Sequence, residues 1–128
     1  MDSVTKFISF LFSKGYQLIE NNEKFMFTTY EKSGFFVRIA EDTNAKFIIL
    51  SRSNEHSWKG RYDMGLVRFL ILKAHYEKDS TFKFEESSQF FIDHYEEILE
   101  VFKPANFTKS EDAFAVLKKE RAKALFGY

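Results

Sequence analysis

The sequence predicts an α+β fold: an N-terminal helix, a four-stranded antiparallel β-meander, and then three helices packed on one face of the sheet. Three observations carry this. Val4, Phe7, Ile8 and Leu11 recur at the i, i+3, i+4, i+7 spacing that gives a helix one apolar face. Between Tyr16 and Ser51 the period changes, and short runs rich in aromatic and β-branched residues alternate with turn-forming ones. After Asp63 the apolar residues return to helical spacing, with Pro104 and Gly127 as breakers.

In chain order, Asp2 and Ser3 cap the first helix and Gly15 stops it. Strands are expected at Tyr16 to Glu20, Lys24 to Tyr30, Phe35 to Ala40 and Ala45 to Ser51. Asn21-Asn22, Lys32-Ser33-Gly34 and Asp42-Thr43-Asn44 separate them, and each contains residues that tolerate positive φ, so consecutive hairpins follow. Within the third strand Phe35, Val37 and Ile39 point one way and Phe36 and Arg38 the other, which makes one sheet face core and the other mixed. Arg52 to Tyr62 reads as a polar loop holding the only tryptophan, Trp58. Asp63 then caps a second helix expected to reach about Lys78. Apolar residues from Leu66 to Ala74 cover most of its circumference, as in a buried helix, and a long strand from Leu66 to Tyr76 stays open as the alternative. A third helix is expected from about Glu86 to Phe102, ended by Pro104. A fourth starts at Thr108, with Glu111 at the capping-box spacing, and ends at Gly127.

With 128 residues and 15.2 kDa the chain makes a single domain, residues 1 to 128. Hydrophobic residues at 45% exclude a disordered chain; the 30% of charged residues and the lack of any apolar run beyond five residues exclude membrane-spanning helices. Nineteen basic residues balance nineteen acidic ones, so the bulk electrostatic footprint of a nucleic-acid binder is missing. The absence of cysteine removes disulfides, thiol catalysis and cysteine-ligated zinc and fits a reducing cytoplasm. Lys6 followed by Phe7 to Phe12 mimics a secretory leader, but Ser9 interrupts the apolar stretch and no small-residue cleavage pattern follows, so a cytoplasmic protein is expected. The aromatic residues, 19% of the chain, are spread along its length, as core-filling side chains would be.

The sharpest local signal is acidic. Residues 77 to 100 hold eight acidic side chains against two basic ones, and Asp93, Glu96, Glu97 and Glu100 fall on one stripe of the expected third helix. The plain reading is a solvated helix face; the functional one is a docking surface for a basic protein partner. The loop from Arg52 to Tyr62 comes second, because Arg52, Trp58 and Arg61 are residue types enriched at interface anchors. Trp58 reads equally as a lid on the end of the sheet. The same loop holds Glu55 and His56, so a small nuclease or transferase-like enzyme built on it is the alternative function: proton carriers beside cations suit phosphodiester chemistry. His56, His75 and His94 lack metal-ligand spacing, and the glycines form no phosphate-binding loop, so no cofactor, metal or catalytic residue is expected. Lys118, Lys119, Arg121 and Lys123 near the chain end complement a helix dipole, and nucleic acid is not an expected partner.

Several segments together resemble a known group. Phe7-x-x-Phe10-Leu11 followed by Gly15-Tyr16, the strand Phe36-Val37-Arg38-Ile39, and the closing Arg121-Ala122-Lys123-x-Leu125-Phe126-Gly127 are similar to small bacterial immunity proteins of polymorphic toxin systems. The resemblance implies a cytosolic, non-enzymatic inhibitor that neutralises a toxin domain by tight binding, and it transfers no contact residues. The many Phe and Tyr add one expectation of their own: an aromatic patch left on the sheet would mark a partner surface or a homodimer.

Overall fold

The computed structural model describes residues 2–52, 60–76 and 82–127. The chain is α+β, with one antiparallel sheet in sequential order β1-β2-β3-β4-β5 and five helices. Helix α1 (Ser3–Ser13) starts where Asp2 accepts a hydrogen bond from the Thr5 amide at 2.8 Å. It ends in a Schellman turn: Gly15 at φ 91° lets the Tyr16 amide reach the Leu11 carbonyl and the Gly15 amide reach that of Phe12. Strands β1 (Gln17–Asn22), β2 (Phe27–Lys32), β3 (Phe35–Asp42) and β4 (Ala45–Ser51) occupy the four expected runs within a few residues. The two tight turns, Ser33-Gly34 and Thr43-Asn44, have both residues at positive φ, as type I′ hairpins require.

The sheet has five strands rather than four. Arg61–Asp63 forms β5, paired with β4 through Ser51↔Arg61, Leu50↔Tyr62 and Ile49↔Asp63. Three residues are too few to show a period-2 pattern, so this segment read as loop; Tyr62 inside it is buried and stacks on Phe114 at 4.0 Å between centroids.

The helices also depart from expectation. Asp63 caps α2 (Met64–Ile71) through the Leu66 amide at 3.0 Å, but α2 stops seven residues before Lys78, and the segment is helix rather than strand. The expected single helix from Glu86 to Phe102 is two, α3 (Phe84–Asp93) and α4 (Tyr95–Phe102), divided at His94 with φ −114° and ψ 25°. The buried residues Ser88, Phe91, Tyr95, Ile98 and Phe102 keep helical spacing across the break, which hides it from any periodicity reading. The capping box at Thr108 does not form. Helix α5 (Phe107–Phe126) begins one residue earlier, and Asn106 at its N-cap donates to the Glu100 carbonyl at 2.9 Å instead of accepting from the helix. Its end at Gly127, φ 81°, is as expected.

One core joins these elements. Phe7 and Leu11 of α1, Phe91 of α3, Ile98 and Phe102 of α4 and Phe114 of α5 meet the inward sheet row of Val37, Ile48 and Leu50, all essentially without solvent contact. Full burial of a large apolar side chain contributes about 1.5 to 3 kcal/mol, so these residues outweigh every polar contact described below. No helix among the described residues is long and apolar enough to cross a membrane.

Candidate binding surfaces

The register of the sheet decides what its other face presents. Phe27, Ala40 and Phe47 stand opposite one another across β2, β3 and β4. The next row is Glu20, Thr29, Arg38, Ile49 and Asp63, and the one beyond it Glu31, Phe36, Ser51 and Arg61. Alternation puts these rows on the face opposite Val37 and Leu50. This open face therefore mixes aromatics with two arginines.

Arg38 is held tightly there. It is 8% exposed, its Nε donates to Thr29 Oγ1 at 3.1 Å, and its guanidinium lies 4.0 Å from the centre of the Phe27 ring. Glu20 Oε1 sits 3.7 Å from Arg38 Nη2. Burial is the largest influence on Arg38 and lowers its pKa, and the neighbouring Arg61 charge lowers it further, against the pull of Glu20. Burial also lowers that of Arg61, again with Glu20 opposing. Guanidinium tolerates this setting because it is weakly hydrated and stacks on aromatic rings. A cleft of about 500 Å³ opens here, lined by Phe25, Phe27, Arg38, Ala40, Ile49 and Arg61. Phe25 belongs to the β1–β2 turn, whose shape is set by Asn22 accepting from the Phe25 amide at 2.9 Å and by Met26 at φ 57°. Phe25 is 65% exposed and Phe47 46%.

The acidic residues are placed as follows. Glu96, Glu97 and Glu100 are exposed on α4, while Tyr95, Ile98 and Phe102 of the same helix are buried. Asp93 closes α3 and accepts from Gln89 Nε2 at 2.9 Å. Asp93, Glu96 and Glu97 line one shallow depression with Phe10 and Lys14. Glu100 stands toward the other end of α4, 3.3 Å from Lys103 Nζ. Glu97 is 2.9 Å from His94 Nδ1.

Arg52 and Arg61, read from one loop, do not share a surface. Arg52 follows Leu50 and Ser51 in alternation and lines a cleft with the buried rings of Tyr16, Phe35 and Phe102, whereas Arg61 lies in the open-face cleft. Trp58 and the proton carriers Glu55 and His56 lie outside the described residues. His75 Nδ1 meets Glu120 at 3.1 Å, and no group of three His, Asp or Glu among the described residues is placed to hold a metal ion.

Sequence reasoning missed Phe25, Phe27 and the burial of Arg38. The available signal was the alternation that sets Arg38 apart from Val37 and Ile39; the cross-strand register that brings Phe27 and Arg61 beside it is not written in any local pattern. Searches of family models, of curated proteins and of solved structures find no match to this chain.

Proposed function

We propose that the protein is a non-enzymatic binding protein that neutralises another protein by direct contact, as the immunity proteins its sequence resembles do, and that the open sheet face makes the contact. The supporting observation is the aromatic surface left there: Phe25 is exposed and lines a cleft with Arg38 and Arg61, and Phe47, the register partner of the cleft residue Ala40, is exposed as well. Exposed aromatics next to arginine are the side chains that dominate binding energy at protein interfaces. The occupant that complements this face is a protein segment presenting apolar side chains to the exposed Phe25 and Phe47 rings.

A second reading places the contact on α4, where Glu96, Glu97 and Glu100 all point to solvent and Asp93 lies close by; this face suits a toxin domain with a basic surface. Its exposed charges favour fast, salt-sensitive encounter more than tight anchoring.

Affinity capture from the native host with three baits tests both. The wild type and the Glu96→Lys/Glu97→Lys/Glu100→Lys variant are expected to retain the same protein, and the Phe25→Asp/Phe47→Asp variant to lose it. Loss with the lysine variant alone would move the contact to α4. A wild type that captures nothing but sediments as a dimer, split by Phe47→Asp, would assign the open face to a second copy of the chain.

A further inference from the structure

We propose a second binding site, for a phosphomonoester carried on a flat apolar stem, in the cleft between the β2–β3 turn and the C-terminal end of α4. Three cations from three separate elements converge on this space of about 280 Å³: Lys32 at the end of β2, Arg52 just past β4, and Lys103 at the C-cap of α4. Chain segments far apart in sequence thus place like charges around one concavity, and among the described residues the lining holds no acidic one. Repulsion among these charges, eased at Lys103 by its ion pair with Glu100, is relieved further when an anion enters.

Each cation is positioned by one tether. Lys32 Nζ donates to the Lys14 carbonyl at the end of α1, Arg52 Nη1 donates to the Ser33 carbonyl at 3.4 Å, and Lys103 Nζ lies 3.3 Å from Glu100 Oε1. An ammonium carries three donors and a guanidinium five, so these tethers fix the heads and leave donors for a ligand. Gly34, at φ 78°, keeps the turn open beneath Arg52: a Cβ there would come 3.1 Å from Arg52 Nη2.

The lining supplies a neutral donor as well. The Tyr95 hydroxyl donates to the Tyr16 hydroxyl at 3.0 Å, and both rings line the cleft. Two phenols sharing one hydrogen bond keep one proton for a further acceptor. Burial raises the pKa of both, so they remain donors across the physiological range.

Three cations match an anion with several charged oxygens better than a single carboxylate, which one arginine satisfies bidentately. Phe35, Leu99, Phe102 and Pro104 provide the apolar side, and the space lies at the lower end of ligand-site volumes, enough for one ring. This site is separate from the open sheet face, and its test does not depend on that reading.

Titration of the full chain with phenyl phosphate, followed by amide NMR shifts of Ser33, Gly34 and Leu99, reads the site directly. Saturable shifts at those amides are expected, with inorganic phosphate binding about tenfold more weakly because it lacks the apolar stem. Arg52→Gln is expected to weaken phenyl phosphate about tenfold and Lys103→Gln several-fold, with melting temperatures close to wild type. Absence of saturation at millimolar phenyl phosphate, or equal affinity in the wild type and both variants, overturns the proposal. Equal binding of the two ligands overturns the apolar stem.

Discussion

Asp63 holds two distant elements with one carboxylate: Oδ1 accepts from the Leu66 amide at 3.0 Å and so caps α2, while Oδ2 accepts from Arg121 Nη1 of α5 at 2.7 Å. The residue also closes β5, so strand, helix start and terminal helix meet at one side chain.

Replacing Asp63 separates the two roles. Asp63→Ala removes both and is expected to destabilise the fold by about 1 to 2 kcal/mol, most of it from the lost cap. Asp63→Asn keeps an oxygen for the Leu66 amide and loses the ion pair. With both partners about a third exposed, that pair is screened, so Asn and Arg121→Gln should each cost about 1 kcal/mol or less. Urea denaturation of the three variants checks the order; an Asn variant as unstable as the Ala variant would show that α5 docking, not capping, is the dominant role.

The Tyr16–Tyr95 pair predicts an alkaline limit to stability. Burial first, and then the hydrogen bond and charge of Tyr95, raise the Tyr16 pKa, and burial raises that of Tyr95 as well. An acid whose folded pKa lies above its unfolded value contributes stability that is complete below the unfolded pKa, about 10 for tyrosine, and is lost as pH rises beyond it. Wild-type stability is therefore expected to fall above pH of about 10, and Tyr16→Phe to flatten that fall. At neutral pH the same substitution should cost about 1 kcal/mol for the lost hydrogen bond. Melting temperatures from neutral to strongly alkaline pH, compared between the two proteins, measure both effects.

Some local signals in the sequence were followed by the fold and others were not: the capping box at Thr108 does not form, and Asn21 and Asn22, expected as a turn, lie within β1. Asp2 and Asp63 cap helices because a short acceptor precedes an apolar run, and Ser33-Gly34 and Thr43-Asn44 turn because they tolerate positive φ. What escaped notice depended on contacts between distant segments. β5 exists because β4 offers it an edge, and the break at His94 leaves the buried stripe from Ser88 to Phe102 in register. The acidic side chains of α4 could be read from their spacing, as Tyr95, Ile98 and Phe102 fix which side faces the core. The open-face cleft could not, since Phe27, Arg38 and Arg61 come together only through pairing of β2, β3 and β5 into one sheet.

The early end of α2 was hidden for a different reason, and it yields a stabilising substitution. The Ala74 amide reaches the Phe69 carbonyl at 3.0 Å and the Lys73 amide that of Leu70 at 3.2 Å, the same Schellman pattern that ends α1. In α1 the left-handed position is Gly15; in α2 it is Lys73, at φ 54°. A residue with a Cβ is strained in that conformation by about 1 kcal/mol relative to glycine, and a lysine gives no stop signal in the sequence. Lys73 is exposed, so exchanging it removes no core contact. Lys73→Gly is therefore expected to stabilise the protein by about 0.5 kcal/mol, after allowance for the extra freedom glycine gives the unfolded chain. Gly15→Ala in the matching position of α1 should destabilise it by about 1 kcal/mol or more. Paired thermal melts decide the matter: if both substitutions shift the midpoint in the same direction, the two helix ends are not held by the same turn.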